Sequence, residues 1–324
     1  MPIYECDRWR EQYFSCTECP PDVHIPTDDS LAYALNPRHR WIYDKLEVAR
    51  SQGIDCAPQG IAPPHYPVFS KPVTNLKGMG VGSRVLRDER DYREHCKSGD
   101  FWMTLLSGDH VSTDWAVVNG EAQWCRHTLG ISGAAGTFDY WMIEANSLPK
   151  VEKYCKDWIR RNLHDYTGML NIETIGGGII EAHLRFSDQW PDLYGSTWVD
   201  AVVRLYHQKV WKFTEAVRVD GYSVVLFGPH GRPFVHPSAA RLAQYRSTAG
   251  VSSVQITFLS GVPQSEHAMP PGGFRLAIIN CLNLAVGFRL RARIARDFEL
   301  QTAEKSSVRF AAGGALDRLQ PGSA

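Results

Sequence analysis

Apolar positions along the chain change period several times, and each change marks an element. Residues 36–52, NPRHRWIYDKLEVARSQ, set Trp41, Leu46 and Val48 among polar neighbours at near-helical spacing. With Asn36 as the N-cap and Pro37 at the first helical position, the stretch predicts a helix. YPVFSKPV then reads as a short strand, and NLKGMGVGSRVL as a glycine-rich turn leading to a second one. Residues 89–98 read as a charged surface helix. FWMTLLSG, VSTDWAVVNG and EAQWCRHTLG follow as strands punctuated by Gly or Asn-Gly, which implies antiparallel sheet. Residues 148–166 carry apolar positions three and four apart and predict a helix; MLNIETI and GGGIIEAHLRF predict two strands joined at Gly176, Gly177 and Gly178. Beyond Trp190 the pattern gives a helix over 202–212, a strand over 222–227, an ambiguous stretch over 244–273 and a helix over 274–298. Residues 1–36, Pro- and Asp-rich around CPPDVHIPTDD, show little periodicity and read as a loose, short segment. No repeat of about 20–50 residues recurs, so a solenoid or propeller is not supported.

Composition narrows the class. The chain has 324 residues, 44% hydrophobic and 22% charged, as folded globular proteins do. Its 35 Lys+Arg balance 35 Asp+Glu, which leaves no global field to hold a nucleic acid or an anionic membrane face. The start, MPIYECDRWREQYF, has no basic region followed by an apolar one, and no later run approaches the ~20 apolar residues that a bilayer span needs. Eight scattered cysteines do not make a disulfide framework. A cytoplasmic protein without nucleic-acid or membrane partners is expected.

Four local features can carry chemistry. Lys71 precedes a glycine loop, Gly78, Met79, Gly80, Val81, Gly82, Ser83, in which backbone N–H groups can approach phosphate oxygens while the lysine supplies a point charge; a plain hairpin tip has the same composition. Glu173 and Glu181 lie on adjacent expected strands, and Glu181, His183 and Arg185 recur at every second residue, so they project from one face as acid, imidazole and guanidinium. Such a row is either a salt-bridge row or a metal site. His110, Ser112 and Asp114 alternate in the same way. Cys16 and Cys19, with Cys6 and His24 nearby, have the donor types of a zinc site at irregular spacing.

Taken in order, these features resemble the ATP-grasp family, the two-lobed nucleotide-binding fold of carboxylate–amine ligases, carbamoyl-phosphate synthetase and biotin carboxylase. IYDKLEVARSQGIDCAPQG is similar to the opening Asp-Lys helix of that family, and the resemblance makes Lys45 the first phosphate-contacting lysine. PVFSKPVTNLKGMGVGSRVL resembles the strand and glycine loop that close over the ATP phosphates, which gives Lys71, Gly78, Gly80, Gly82 and Ser83. FWMTLLSGDHVSTDWAVVNGEAQW is similar to the hinge between the lobes, where Met103, Thr104, Leu105 and Leu106 would line the adenine slot and His110 would lie near the ribose; the family usually has Glu in place of Met103. NIETIGGGIIEAHLRFSD resembles the strands bearing the magnesium ligands and an E-x-N-x-R motif. On that likeness Glu173, Glu181 and His183 are the metal ligands and Arg185 the catalytic residue. His183 stands where the family normally has Asn, so this position either weakens the second metal or shifts the preference toward Mn2+.

The resemblance implies an α+β fold of two lobes whose antiparallel sheets enclose the nucleotide. Residues 1–36 form a short N-terminal segment, and residues 37–240 the ATP-grasp domain, split into lobes 37–107 and 108–240. Residues 241–324 form a C-terminal extension completing the second lobe, with a disordered tail over 312–324. The segment is too short for the α/β pre-domain these ligases commonly carry, so the acceptor site is expected to be built differently or supplied by a partner subunit or homodimer. The implied cofactors are ATP and Mg2+ or Mn2+, and the implied reaction activates a small carboxylate as an acyl phosphate for capture by an amine. A nucleotide-binding module with impaired catalysis, acting as a regulatory or partner subunit, is the alternative.

Overall fold

The computed structural model describes residues 3–5, 7–76, 80, 82–133, 136–215, 217–267 and 269–313, without the side chains of Tyr4 and of residues 300–313. In chain order the N-terminal part supplies β1 (Ile3–Tyr4), β2 (Ile25–Pro26), α1 (Asp29–Leu35) and α2 (Lys45–Arg50). A first, four-stranded sheet is built from β3 (Cys56–Pro58), β4 (Val68–Pro72), β5 (Arg84–Leu86) and, after α3 (Glu89–His95), β6 (Asp100–Thr104), in the order β3-β6-β4-β5. The chain then crosses to β7 (His110–Val118), β8 (Glu121–Ser132), β9 (Phe138–Ile143), α4 (Pro149–Asn162), β10 (Gly168–Ile175), β11 (Gly178–His183), α5 (Trp198–Gln208) and β12 (Gly221–Gly228). It ends with α6 (Ala239–Arg246), β13 (Val251–Ile256), β14 (Phe274–Cys281) and α7 (Leu284–Gly313). These strands form a second, eight-stranded antiparallel sheet in the order β11-β10-β7-β8-β9-β12-β14-β13.

Side-chain caps start α1, α2, α3 and α6. Asp44 Oδ1 accepts from Glu47 N–H at 3.0 Å, so α2 begins at Lys45 and not at Asn36, which instead follows the end of α1; residues 40–43 form a separate 3-10 turn. The Asp carboxylate, unlike the Asn36 amide, satisfies an orphan donor of the first turn and also faces its positive end. Asp28 and Asp88 cap α1 and α3 in the same way.

Alternation along β7 and β10 divides the large sheet between two cores. On one face Trp115, Val117, Leu170 and Ile172 pack with Cys155, Trp158 and Ile159 of α4. On the other, Ala116 and Met169 pack with Trp198, Val202 and Leu205 of α5. Further along the strands, that second face turns from apolar to polar. Residues 274–281, expected as helix, are instead β14, held between β12 and β13. Both faces of this strand are buried, so the apolar run lacks the alternation that marks a half-exposed strand.

The N-terminal segment is not loose. β1 pairs with β2 in parallel, and Phe14, Val23 and Ile25 are buried in the core that holds α5. Arg10 donates to Gln255 Oε1 at 3.3 Å and pairs with Asp188, tying the segment to the far end of the large sheet. No described helix is long and apolar enough to cross a membrane.

The crossing from the small sheet to the large one lies against the β10–β11 turn. Gly176 sits at φ +57°, and a Cβ there would lie 2.1 Å from the carbonyl oxygen of Ser107. Gly176→Ala is therefore expected to lower stability by about 1–3 kcal/mol, seen as a lower urea midpoint at unchanged m-value.

Candidate functional site

The polar end of the large sheet is built by register. Glu173 of β10 is paired with Glu181 of β11 on one side and with Ser112 of β7 on the other; Asn171 is likewise paired with His183 and Asp114. Directly opposite residues of antiparallel strands share a face, so β7, β10 and β11 present these side chains as one patch. Glu173, Glu181 and His183 offer ligand atoms that all lie within 4.8 Å of one another. Alternation predicts Glu181, His183 and Arg185 on one face; the structure groups Glu181 and His183 with Glu173, while Arg185 pairs with Asp29. His110, at the start of β7, contacts Glu173 Oε2 through Nε2 at 2.9 Å. Although burial alone would raise the Glu173 carboxyl, the His110 contact and charge prevail and hold it at about 2; burial opposes, and the same contact raises, the His110 pKa.

Beneath the patch, Asp114 anchors the strands. Its carboxylate accepts from Asn171 at 2.7 Å, from Ser187 N–H at 3.0 Å and from Tyr194 Oη at 2.8 Å. Burial raises its pKa to about 6 against these bonds.

The small sheet and α2 bring the positive charge. Lys45, the first residue of α2, is paired with Glu181. Lys71 of β4 is 5% exposed, and its Nζ donates to the carbonyl of Ile180 at 2.6 Å. Burial lowers the Lys71 pKa to about 8, with Lys45 adding to that shift and Glu181 and Glu173 opposing it. Gln52 fixes the approach of the two parts: its side-chain amide donates to Ile179 C=O at 2.8 Å and accepts from Ile179 N–H at 2.7 Å, as a neighbouring strand would at the edge of β11. No local sequence signal distinguishes Gln52 from a surface residue.

Arg185 lies past the end of β11 and is bound to the N-terminal segment. Asp29 Oδ1 accepts from Arg185 Nε at 2.8 Å and Oδ2 from Nη2 at 3.1 Å, while His183 Nδ1 lies 3.0 Å from Oδ1. The Tyr43 hydroxyl donates to Oδ1 at 3.3 Å and accepts from Leu184 N–H at 3.1 Å. Burial opposes ionisation of Asp29, but the Arg185 guanidinium and His183 overcome it and hold the carboxyl far below its ordinary range. Sequence reasoning missed Asp29, because 154 residues separate it from His183 and its immediate neighbours show no periodicity.

The expected loop and hinge residues are placed as follows. Gly80 and Gly82 have φ of +59° and +84°, and Ser83 N–H donates to Gly80 C=O at 3.1 Å; Gly78 lies outside the described residues. Met103 is 2% exposed and packs with Leu46, Ala49 and Phe101, so its side chain belongs to the core under α2. Thr104 and Leu105 are exposed, with Thr104 N–H bonded to Asp55 C=O at 2.9 Å, and Leu106 lies over Gly178. Cys16, Cys19 and His24 do not converge as a metal group among the described residues, and Cys6 lies outside them.

No family model matches the sequence, and no curated protein matches it. Solved structures match it in fold. Phosphoribosylamine–glycine ligase from Thermotoga maritima is similar over 90% of this chain and 85% of its own, at a TM-score of 0.58 and 14% identity. L-amino acid ligase from Bacillus licheniformis is similar over 87% and 81%, at 0.54 and 13%. Carboxyaminoimidazole ribonucleotide synthase from Aspergillus clavatus, solved with ATP, is similar over 75% and 69%, at 0.53 and 13%.

The buried Lys71 has a measurable signature. Its folded pKa of about 8 lies below the ordinary 10.5, so the unfolded chain holds the proton more tightly across that window. Stability should therefore rise with pH between about 8 and 10.5. Lys71→Met is expected to flatten this rise and to stabilise the ligand-free protein at pH 7 by on the order of 1–3 kcal/mol, as read from urea midpoints across pH.

Proposed function

The chain has the ATP-grasp fold, and on that fold we propose that it is an ATP-dependent ligase that activates a small carboxylate as an acyl phosphate and joins it to an amine. The observation that carries this reading is the meeting of Lys45 and Lys71, from one side, with Glu173, Glu181 and His183 from the other. Phosphoryl transfer needs positioning and charge neutralisation more than covalent help from the protein. Two lysines and loop amides on one wall, opposite a carboxylate pair able to hold cations, supply both.

In this reading Lys45 leaves Glu181 for the nucleotide phosphates, and Lys71, already desolvated, meets them without shedding a hydration shell. The loop amides around Gly80, Gly82 and Ser83 cover the same oxygens. Backbone groups along residues 103–106 hold the adenine, since the Met103 side chain is committed to the core, and His110 stands beside the ribose. Glu173, Glu181 and His183 would hold Mg2+ or Mn2+, which would screen the negative charge on the β- and γ-phosphates. A substrate carboxylate oxygen attacks the γ-phosphorus and ADP leaves; the amine nitrogen then attacks the acyl carbon, loses a proton and expels phosphate. Arg185 retains N–H groups beyond its bonds to Asp29 and Phe186 C=O, and these are its means of stabilising the transferring group.

A second reading, a nucleotide-binding module without turnover, draws on the imidazole in the cation group and on the engagement of Arg185 by Asp29. One assay separates the two. A panel of carboxylates, each with a panel of amines, is screened for ADP release by the wild type and by Glu181→Ala. The ligase reading expects release that needs both substrates and falls at least about 100-fold in the variant. ATP bound without ADP release under every pairing favours the module.

A further inference from the structure

We propose that Asp29 fixes His183 as the Nδ1–H tautomer and thereby makes the Glu173, Glu181 and His183 group a site for a divalent transition cation, in preference to Mg2+. This deepens the ligase reading and rests on it for the nucleotide's part in binding.

Asp29 and His183 are nearly closed to solvent, with side chains 5% and 6% exposed. Arg185 donates to both oxygens of Asp29 through Nε and Nη2, the two-donor geometry in which a guanidinium meets a carboxylate. An ionised carboxylate only accepts hydrogen bonds, so the ring nitrogen 3.0 Å from Oδ1 has to be the protonated one. In the neutral ring the lone pair is then on Nε2. Tyr43 adds orientation: its ring meets that of His183 edge-on at 6.2 Å and 69°, while its hydroxyl bonds both Asp29 and Leu184 N–H.

The consequence for a cation follows from ligand chemistry. Mg2+ takes oxygen ligands and tolerates little deviation from octahedral geometry, whereas first-row transition cations accept imidazole alongside carboxylates. A carboxylate behind an imidazole sets its tautomer and raises its basicity, and losing that carboxylate costs about 10–100-fold in metal affinity. The N-terminal segment thus reaches the cation group through Asp29, which has no need to touch the ion.

The test uses Mn2+ as probe on the full chain, first alone and then with a non-hydrolysable ATP analogue. Bound Mn2+ is counted by electron paramagnetic resonance, and nitrogen coordination is read from the modulation of the electron spin echo. The wild type should show nitrogen coupled to Mn2+, His183→Asn should lose it, and Mg2+ should compete better for His183→Asn than for wild type. Asp29→Asn should weaken Mn2+ binding about 10–100-fold. Because that variant also strips Arg185 of its counter-charge and can unfold the chain, the wild-type coupling and its loss in His183→Asn decide the matter. No nitrogen coupling in the wild type under either condition, or coupling unchanged in His183→Asn, overturns the proposal. Analogue binding with oxygen-only Mn2+ overturns it while leaving the ligase reading in place; nitrogen-coupled Mn2+ with no analogue binding does the reverse.

Discussion

Buried opposite charges at the meeting of two sheets are the constraint on which the structure turns. Taking a lysine or a glutamate out of water costs several kcal/mol per ion, and here partners offset that cost, for Lys71 only in part. Across the junction Lys45 is set against Glu181, and Lys71 against the Ile180 carbonyl with Glu181 and Glu173 close by; within the large sheet His110 is set against Glu173. The balance is sufficient only because the sheets hold their relative position. On the proposed reading, a nucleotide and its cations would replace these pairings in kind, phosphates taking the lysines and metal taking the carboxylates.

That position is secured by ordinary backbone devices. Gln52 serves as a one-residue strand at the edge of β11, and Gly176 lets the chain leaving β6 pass within contact of the β10–β11 turn. The pleat does the rest: pairing Glu173 with Glu181 and Asn171 with His183 makes a patch out of residues that are never adjacent in sequence. Asp114 ties the same strands to the Ser187 backbone, so the polar end of the sheet is held from below as well as from the side.

Much of this was legible in the chain because it is written with short periods. The alternation of Glu181 and His183, the glycine turn before them and the lysine ahead of Pro72 each sit within one or two elements, and local spacing suffices to place them. Asp29 was not legible. Its partners in the site, His183 and Arg185, lie 154 and 156 residues away, and what makes it matter is burial against Arg185, which no window of sequence displays. For the same reason residues 1–36 read as loose although Phe14 and Ile25 are core residues. Residues 274–281 misled in the opposite direction, since a strand buried on both faces carries no period-two signal. The start of α2 is set by the Asp44 carboxylate, which caps its first turn, and not by Asn36, eight residues earlier.

On the proposed reading, the junction of Lys45, Lys71, Glu173 and Glu181 is a nucleotide-phosphate site. Its most direct test is calorimetric titration of the full chain with a non-hydrolysable ATP analogue, with and without Mg2+ or Mn2+, on the wild type and on Lys71→Ala. Saturable, cation-dependent binding by the wild type, lost in Lys71→Ala while the variant remains folded, is expected. Absence of binding under every cation, or binding that survives the loss of Lys71 unchanged, would contradict that reading.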